Sequence, residues 1–424
     1  MTATLRQAAG SLLMVGVSGT ELTGLERAWL KLLRPAGIIL FRRNIADARQ
    51  TRALLAAATA ECAAHSSRCV DVEGGTVDRL RDALAPMPSA QAVARADSTR
   101  REDQHLWSPT LAQKARKNGA PQFEDRTESA KAKTNAGLST AVATATSAQD
   151  DSSIIGAQDD RKNRLAREHG ELIGRAVKAF GFNATLAPML DLGLPESAAV
   201  MGTRCAAPTA DGVVAYARAF LAGLAAQGVA GCGKHFPGLG AGTLDSHLET
   251  PKIGRAWKDL WCEDLAPYRA LCDALPMAMV SHAAYPETKG GDRPASVSKY
   301  WIETVLRKRI GYRGLILSDD LEMGGILNCM SIEQAAVEAV RAGTDLIEIC
   351  HSPELILRAY EALVGEGERS KAFCNVLVER TRESGRKRAR LYAEPGLRPL
   401  SEKQFEALRE RIVRFRERVE KAAD

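Results

Sequence analysis

The sequence predicts an α/β fold, a TIM-like (β/α)8 barrel, on three observations. Short apolar runs alternate with helix-patterned stretches along most of the 424 residues, the punctuation of repeated βα units. About eight of these runs are apolar throughout, as parallel strands covered on both faces must be. Asp71, Glu73, Asp191, His235, His282 and Asp319 each follow such a run closely, at the C-terminal strand ends where barrels present their functional side chains.

In chain order the runs are SLLMVGV, GIILF, CVDVEGG, ATLAPMLDL, GVAGCGKHF, MAMVSHAAY, GLILSDDL and GTDLIEIC, with helices predicted near residues 21–33, 46–63, 164–180 and 210–227. Residues 97–164 break the alternation. They hold only eight strongly apolar side chains in a Ser/Thr/Ala/Lys/Asp/Gln background, too few to bury a core, and are expected to form a disordered or loosely helical insertion. Near the end, Ser401 followed by Gln404 is a capping-box signal. Phe405, Leu408, Ile412, Phe415 and Val419 then recur at spacings of three and four, which predicts an amphipathic helix docked on the barrel or on a partner. The expected organisation is one domain over residues 1–380, interrupted at about 97–164, and then a basic linker and C-terminal helix over 381–424.

A composition of 45% hydrophobic and 26% charged residues excludes disorder throughout. The formal net charge is +6, but residues 380–424 hold 14 Lys/Arg against 8 Asp/Glu, so residues 1–379 carry 44 charges of each sign. The surplus belongs to the tail and, without aromatic interleaving, predicts no nucleic-acid partner. No run of eighteen apolar residues occurs, so no transmembrane helix and no membrane partner are expected. The N-terminal stretch also lacks the pattern of a secretory signal. Nine cysteines, odd in number and without CxxC or zinc spacing, read as reduced thiols of a cytoplasmic protein.

Three clusters carry candidate chemistry. In GCGKHFPGLGAGTLDSHLETP, residues 231–251, Lys234 and His235 leave a strand and a glycine-rich loop runs to Asp245 and His247. An Asp two residues before a His can accept the imidazole N–H, orienting the ring for general acid/base work; two solvated loop residues are the alternative. In RGLILSDDLEMGG, Asp319 and Asp320 are adjacent at a strand end, so only one is expected to face the barrel axis while the other caps the next helix or pairs with a base. In VDVEGGTVDRLR, Asp71 and Glu73 precede a Gly-Gly turn and Arg79 and Arg81 follow it; Asp and Arg together grip vicinal hydroxyls or form a structural ion pair. Asp191 and Arg204 add a carboxylate and a guanidinium near strand ends, and His282 reads equally as a core histidine or a ligand. No Walker loop, HExxH, GxSxG or metal triad appears, so neither metal nor cofactor is expected. A carboxylate beside a separate proton donor, among groups that grip hydroxyls, is glycosidase logic.

The segments KHFPG, DSHLETP, PASVSKYWIETVLR and GYRGLILSDDLEM resemble the bacterial β-N-acetylglucosaminidases of glycoside hydrolase family 3, the NagZ type. VDVEGGTVDRLR, FNATLAPMLDLG and MGTRC stand in the order of that family, and the resemblance covers roughly residues 10–95 and 165–365. It implies a single-domain barrel hydrolase that removes terminal β-linked N-acetylglucosamine by a retaining double displacement. Asp319 would be the nucleophile, His247 the general acid/base and Asp245 its orienting partner; Asp71, Arg79, Arg204, Lys234 and His235 would bind the sugar. The implied partner is a small carbohydrate, a muropeptide or chitooligosaccharide bearing N-acetylglucosamine, met during cytoplasmic peptidoglycan recycling. Two departures stand out: Leu239 replaces a loop histidine of KHFPGHG, and Thr76 replaces an Arg frequent after the Gly-Gly turn. Activity on another β-sugar such as glucose, a phosphorylase outcome, or a non-catalytic sugar-binding barrel are the competing readings.

Overall fold

Each of the eight apolar runs supplies one strand of a closed parallel barrel in the computed structural model, which describes residues 2–102, 163–242, 249–392 and 399–423. In chain order the strands are β1 (Leu13–Val15), β2 (Gly37–Leu40), β3 (Ser67–Val70), a small antiparallel pair β4 (Val72–Gly74) and β5 (Val77–Asp78), then β6 (Ala184–Thr185), β7 (Ala230–Phe236), β8 (Met277–Val280), β9 (Leu315–Asp320) and β10 (Leu346–Ile349). The barrel runs β1-β10-β9-β8-β7-β6-β3-β2 and closes where Met14 and Val15 meet Gly37 and Ile38. Alternation along each strand sorts the side chains. Met14, Cys69, Cys232, Leu317, Leu346 and Cys350 fill the barrel interior, while Leu13, Val15, Val70, Ile316 and Ile347 pack outward against the helices. By the same parity Asp71, Lys234, Asp319 and Glu348 fall on the inward face.

Local sequence explains the helices between the strands. Thr23 and Glu26 form a reciprocal capping box at the start of Gly24–Leu33, Ser331 and Gln334 do the same for Ile332–Ala342, and Gly343, at φ 106°, ends that helix in the left-handed region open to glycine.

At the insertion, the helix Ala90–Glu102 runs past residue 97, and the helix Arg164–Ala179 starts on the far side. Asp97 is buried, and its carboxylate accepts the N–H groups of Leu165 and Ala166 at 3.1 and 2.9 Å. One side chain thus satisfies the open N-terminus of the second helix and pins the two ends of the insertion together. Residues 103–162, the bulk of the expected insertion, lie outside the described residues.

The tail departs from expectation in one respect. Where a basic linker was expected from residue 381, a helix capped by Ser370 extends over Lys371–Leu391, because Phe373, Leu377, Ser384 and Arg388 present a buried stripe to the barrel. This helix closes the N-terminal end of the barrel. The Arg388 Nη1 donates to the carbonyls of Ala36, Ala64 and His65, and the Tyr392 hydroxyl lies 3.0 Å from Ser67 Oγ. Arg388→Ala is expected to destabilise the fold by about 1–3 kcal/mol, since it removes a buried side chain and the hydrogen bonds that tie the helix to three strand-entry carbonyls, and a lower urea midpoint at unchanged slope checks it.

The C-terminal helix Glu402–Ala423 begins at the predicted Ser401–Gln404 box and buries Leu408, Ile412, Phe415 and Val419. It docks on the barrel's own helices Ala90–Glu102 and Arg164–Ala179. Tail cations are tied down there: Arg418 pairs with Glu168 at 2.8 Å and Arg409 donates to the Leu84 carbonyl. All nine cysteines are free, with Cys262 and Cys329 exposed. Among the described residues no helix is long and apolar enough to cross a membrane.

Candidate active site

The inward polar side chains at the C-terminal strand ends surround a cavity of about 180 Å³ lined by Asp71, Arg79, Arg204, Lys234, His235 and Asp319, among others. The ion pairs of its wall are shared. Lys234 Nζ lies 2.8 Å from Asp71 Oδ1 and 2.8 Å from Glu73 Oε1, and Arg204 grips Glu73 with two hydrogen bonds of 2.9 and 2.8 Å. Burial pushes the Glu73 carboxyl up, but Lys234 and Arg204 outweigh it and hold the group well below the usual carboxylate range. Burial likewise opposes the Lys234 ammonium, while Asp71 and Glu73 keep it charged above its ordinary range. Arg79 stands farther out, 3.9 Å from Asp71 and over the Phe41 ring. A Cβ on Gly74, at φ 93°, would meet the Pro88 carbonyl at 2.1 Å, so the turn that carries Glu73 toward Arg204 requires glycine.

His235 is held from behind. Asp191 Oδ2 accepts from the ring Nδ1 at 2.7 Å and from the His235 backbone N–H at 3.1 Å, and Asp191 Oδ1 accepts the N–H of Leu239 at 2.7 Å. One buried carboxylate therefore fixes both the imidazole and the start of the following loop, leaving Nε2 for the pocket. Leu239, buried at the pocket wall, offers an apolar surface at the departure noted in the sequence; Thr76, the other departure, is exposed.

At β9 the two adjacent carboxylates divide as expected. Asp319 follows the inward parity of Leu315 and Leu317, while Asp320, past a shift in the β9–β10 register, stands at the rim of the pocket beside His351. They differ in state. Burial raises the Asp319 carboxyl, but His235, His282, the Asp320 N–H and Lys234 together hold it below its ordinary value. Burial and the Glu322 carboxylate push Asp320 up to about 7, and its Oδ1 accepts the Glu322 N–H at 3.1 Å, capping the turn after the strand. His282 is a satisfied core histidine. Its Nε2 donates to the Asp320 carbonyl at 2.9 Å and its Nδ1 meets Ser296 Oγ at 2.7 Å.

Asp320, Glu322 and His351 place their ligand atoms within 4.8 Å of one another. Arg43 nevertheless donates to His351 Nδ1 at 2.8 Å, which puts the neutral ring's proton on Nε2, the atom 3.6 Å from Asp320. The ring then has no lone pair to offer there, and Arg43 adds a positive charge, so the trio is built as a hydrogen-bonded rim and not as a cation cradle.

Six of the eight residues picked out by sequence thus meet at one pocket. Asp245 and His247 fall at 243–248, outside the described residues. Sequence reasoning placed Glu73 at a strand end beside Asp71 but did not pair it with Lys234 and Arg204, which it anchors, and did not single out Glu348 in the floor.

Residues 131–383 match the glycosyl hydrolase family 3 N terminal domain. The chain is 30% identical over 370 residues to a β-hexosaminidase of Xanthomonas oryzae pv. oryzae, covering 86% of this chain and 91% of that protein, and 29% identical over 367 residues to one of Stenotrophomonas maltophilia, with the same coverage. Among solved structures, a family 3 β-N-acetylglucosaminidase of a Paenibacillus species superposes with a TM-score of 0.73 at 27% identity, over 97% of this chain and 68% of that one. NagZ from Neisseria gonorrhoeae, in complex with N-trifluoroacetyl-D-glucosamine, shares the fold with a TM-score of 0.65 at 24% identity over 98% of both chains. With the barrel, the strand-end site and these matches together, this chain belongs to glycosyl hydrolase family 3.

Proposed function

We propose that the protein is a retaining exo-β-N-acetylglucosaminidase that releases terminal β-linked N-acetylglucosamine from peptidoglycan-derived fragments. The observation that carries this reading is Asp319, half-buried at the wall of the pocket yet held below the ordinary carboxylate range, as a carboxylate nucleophile must be. In the first step Asp319 attacks the anomeric carbon, the glycosidic bond breaks, and protonated His247, oriented by Asp245, gives its proton to the leaving oxygen. Neutral His247 then takes a proton from water, the water oxygen attacks the same carbon, and the Asp319 carboxylate is released. Asp71, Arg79, Arg204, Lys234 and His235 bind the sugar, whose hydroxyls suit paired charges better than a net charge. The names of the β-hexosaminidase relatives and the acylated glucosamine in the Neisseria structure support the sugar. The free cysteines favour a reducing compartment such as the cytoplasm.

The test compares release from aryl β-N-acetylglucosaminide and aryl β-glucoside, with and without phosphate, and traps a covalent adduct with a 5-fluoro sugar for peptide mapping. Preferred N-acetylglucosaminide turnover, indifference to phosphate and an adduct on the Asp319 peptide are the expected results. Faster glucoside turnover, or an adduct elsewhere, sinks the reading.

A further inference from the structure

Glu348 has no part in the double displacement. It sits in β10 between Leu346 and Cys350, whose side chains pack into the barrel interior, at a position where an apolar residue would serve the core. It is 2% exposed and lines the sugar pocket. Its backbone is satisfied: the N–H donates to Ser318 Oγ at 3.1 Å and the carbonyl accepts from Leu321 at 3.0 Å. Its carboxyl is not, since Oε1 is buried with no hydrogen-bond partner among the described residues. A buried polar atom of this kind calls for a partner, and the pocket is where one can enter.

We propose that Glu348 is a specificity-determining residue of the sugar site, whose carboxyl group hydrogen-bonds a hydroxyl of the bound ring. The proposal rests on reading this pocket as a sugar site. The surroundings decide which protonation state does the work. Burial first, and then the facing carboxylates of Asp319, Asp71 and Asp320, push the Glu348 carboxyl well above the usual range, against the opposing charge of Lys234. A carboxyl kept neutral carries an O–H and donates, whereas the ionised Asp319 only accepts. The wall would then offer acceptors and cations, and the floor one neutral donor, which suits an uncharged ring whose hydroxyls both give and take hydrogen bonds.

The experiment measures inhibition constants of N-acetylglucosamine and its 3-, 4- and 6-deoxy analogues, with KM and kcat, for wild type, Glu348→Gln and Glu348→Leu; melting curves check folding, and Glu348→Ala replaces the leucine variant should that one not fold. Leucine is expected to weaken N-acetylglucosamine binding and raise KM about 10- to 100-fold with little change in kcat, because a sugar hydroxyl is left facing an apolar floor. Glutamine keeps a neutral donor of the same shape and should stay within about 3-fold of wild type. One deoxy analogue should bind wild type poorly and lose that penalty in the leucine variant. Unchanged inhibition constants in the leucine variant, or glutamine as damaging as leucine, overturn the role of Glu348. Wild type that neither binds nor releases N-acetylglucosamine instead overturns the sugar reading beneath it.

Discussion

Replacing Asp319 by alanine is expected to lower kcat by about 10,000-fold or more while N-acetylglucosamine still binds the folded protein. The bond from this carboxylate to the anomeric carbon forms only on the way through the reaction, so its loss falls on turnover and not on ground-state binding. Because its neighbours hold the carboxyl below its ordinary value, the ion favours the folded state, and a modest loss of melting temperature is expected beside the loss of turnover. The space left by the carboxylate gives a second readout. A small external anion such as azide should restore part of the rate and yield a product of inverted anomeric configuration, because the anion then attacks once from the face that Asp319 occupied. Full activity in the alanine variant removes Asp319 from the mechanism.

The second large effect is expected at Lys234. Its ammonium is 4% exposed and bridges two carboxylates, Asp71 and Glu73, at 2.8 Å each. Lys234→Met keeps the length of the side chain but leaves both acids short of their cation, which costs about 3–5 kcal/mol for a buried pair broken on one side. Chemical denaturation should show a lower midpoint, and sugar binding should fail along with it because the wall loses its shape and charge. The pH dependence carries a sign. Glu73 has a folded pKa below its ordinary 4.5, so its stabilisation is full above that value and is lost as pH falls toward the folded one. Lys234 has a folded pKa above its ordinary 10.5, so its share is full below 10.5 and is lost as pH rises further. In the methionine variant only Arg204 holds Glu73 down, and the acid limb of stability should become shallower. An unchanged acid limb would show that Lys234 does not set the Glu73 charge.

Residues 131–383 and the relatives establish the family, but the barrel itself was legible beforehand. Every one of the eight apolar runs became a strand, because a strand covered on both faces writes its burial into consecutive residues. The helix at 402–423 was legible for a similar reason, through its cap and its three–four spacing. The end of the 371–391 helix was hidden: Lys, Arg and Ser dominate its surface, and the few residues that bury it, such as Arg388, look solvated in sequence.

Within the site, the sequence could say which residues stand at strand ends, since that depends only on where each run stops. Asp71, Lys234, His235 and Asp319 were found that way. It could not say which side chains meet. Asp71 reaches Lys234 across 163 residues, Glu73 reaches Arg204 across 131, and Asp191 reaches His235 across 44. Strand pairing decides these contacts, because β6 lies between β3 and β7 in the sheet and brings residues far apart in sequence to the same stretch of the barrel mouth. The division of Asp319 to the pocket and Asp320 to its rim, and the burial that leaves Glu348 as a lone acid in the floor, likewise belong to neighbouring strands. Local chemistry determined the inventory of charged groups at the barrel mouth; the packing of distant strands decided which of them are paired, which are ionised and which face the pocket, because charge states answer to neighbours in space and not to neighbours in sequence.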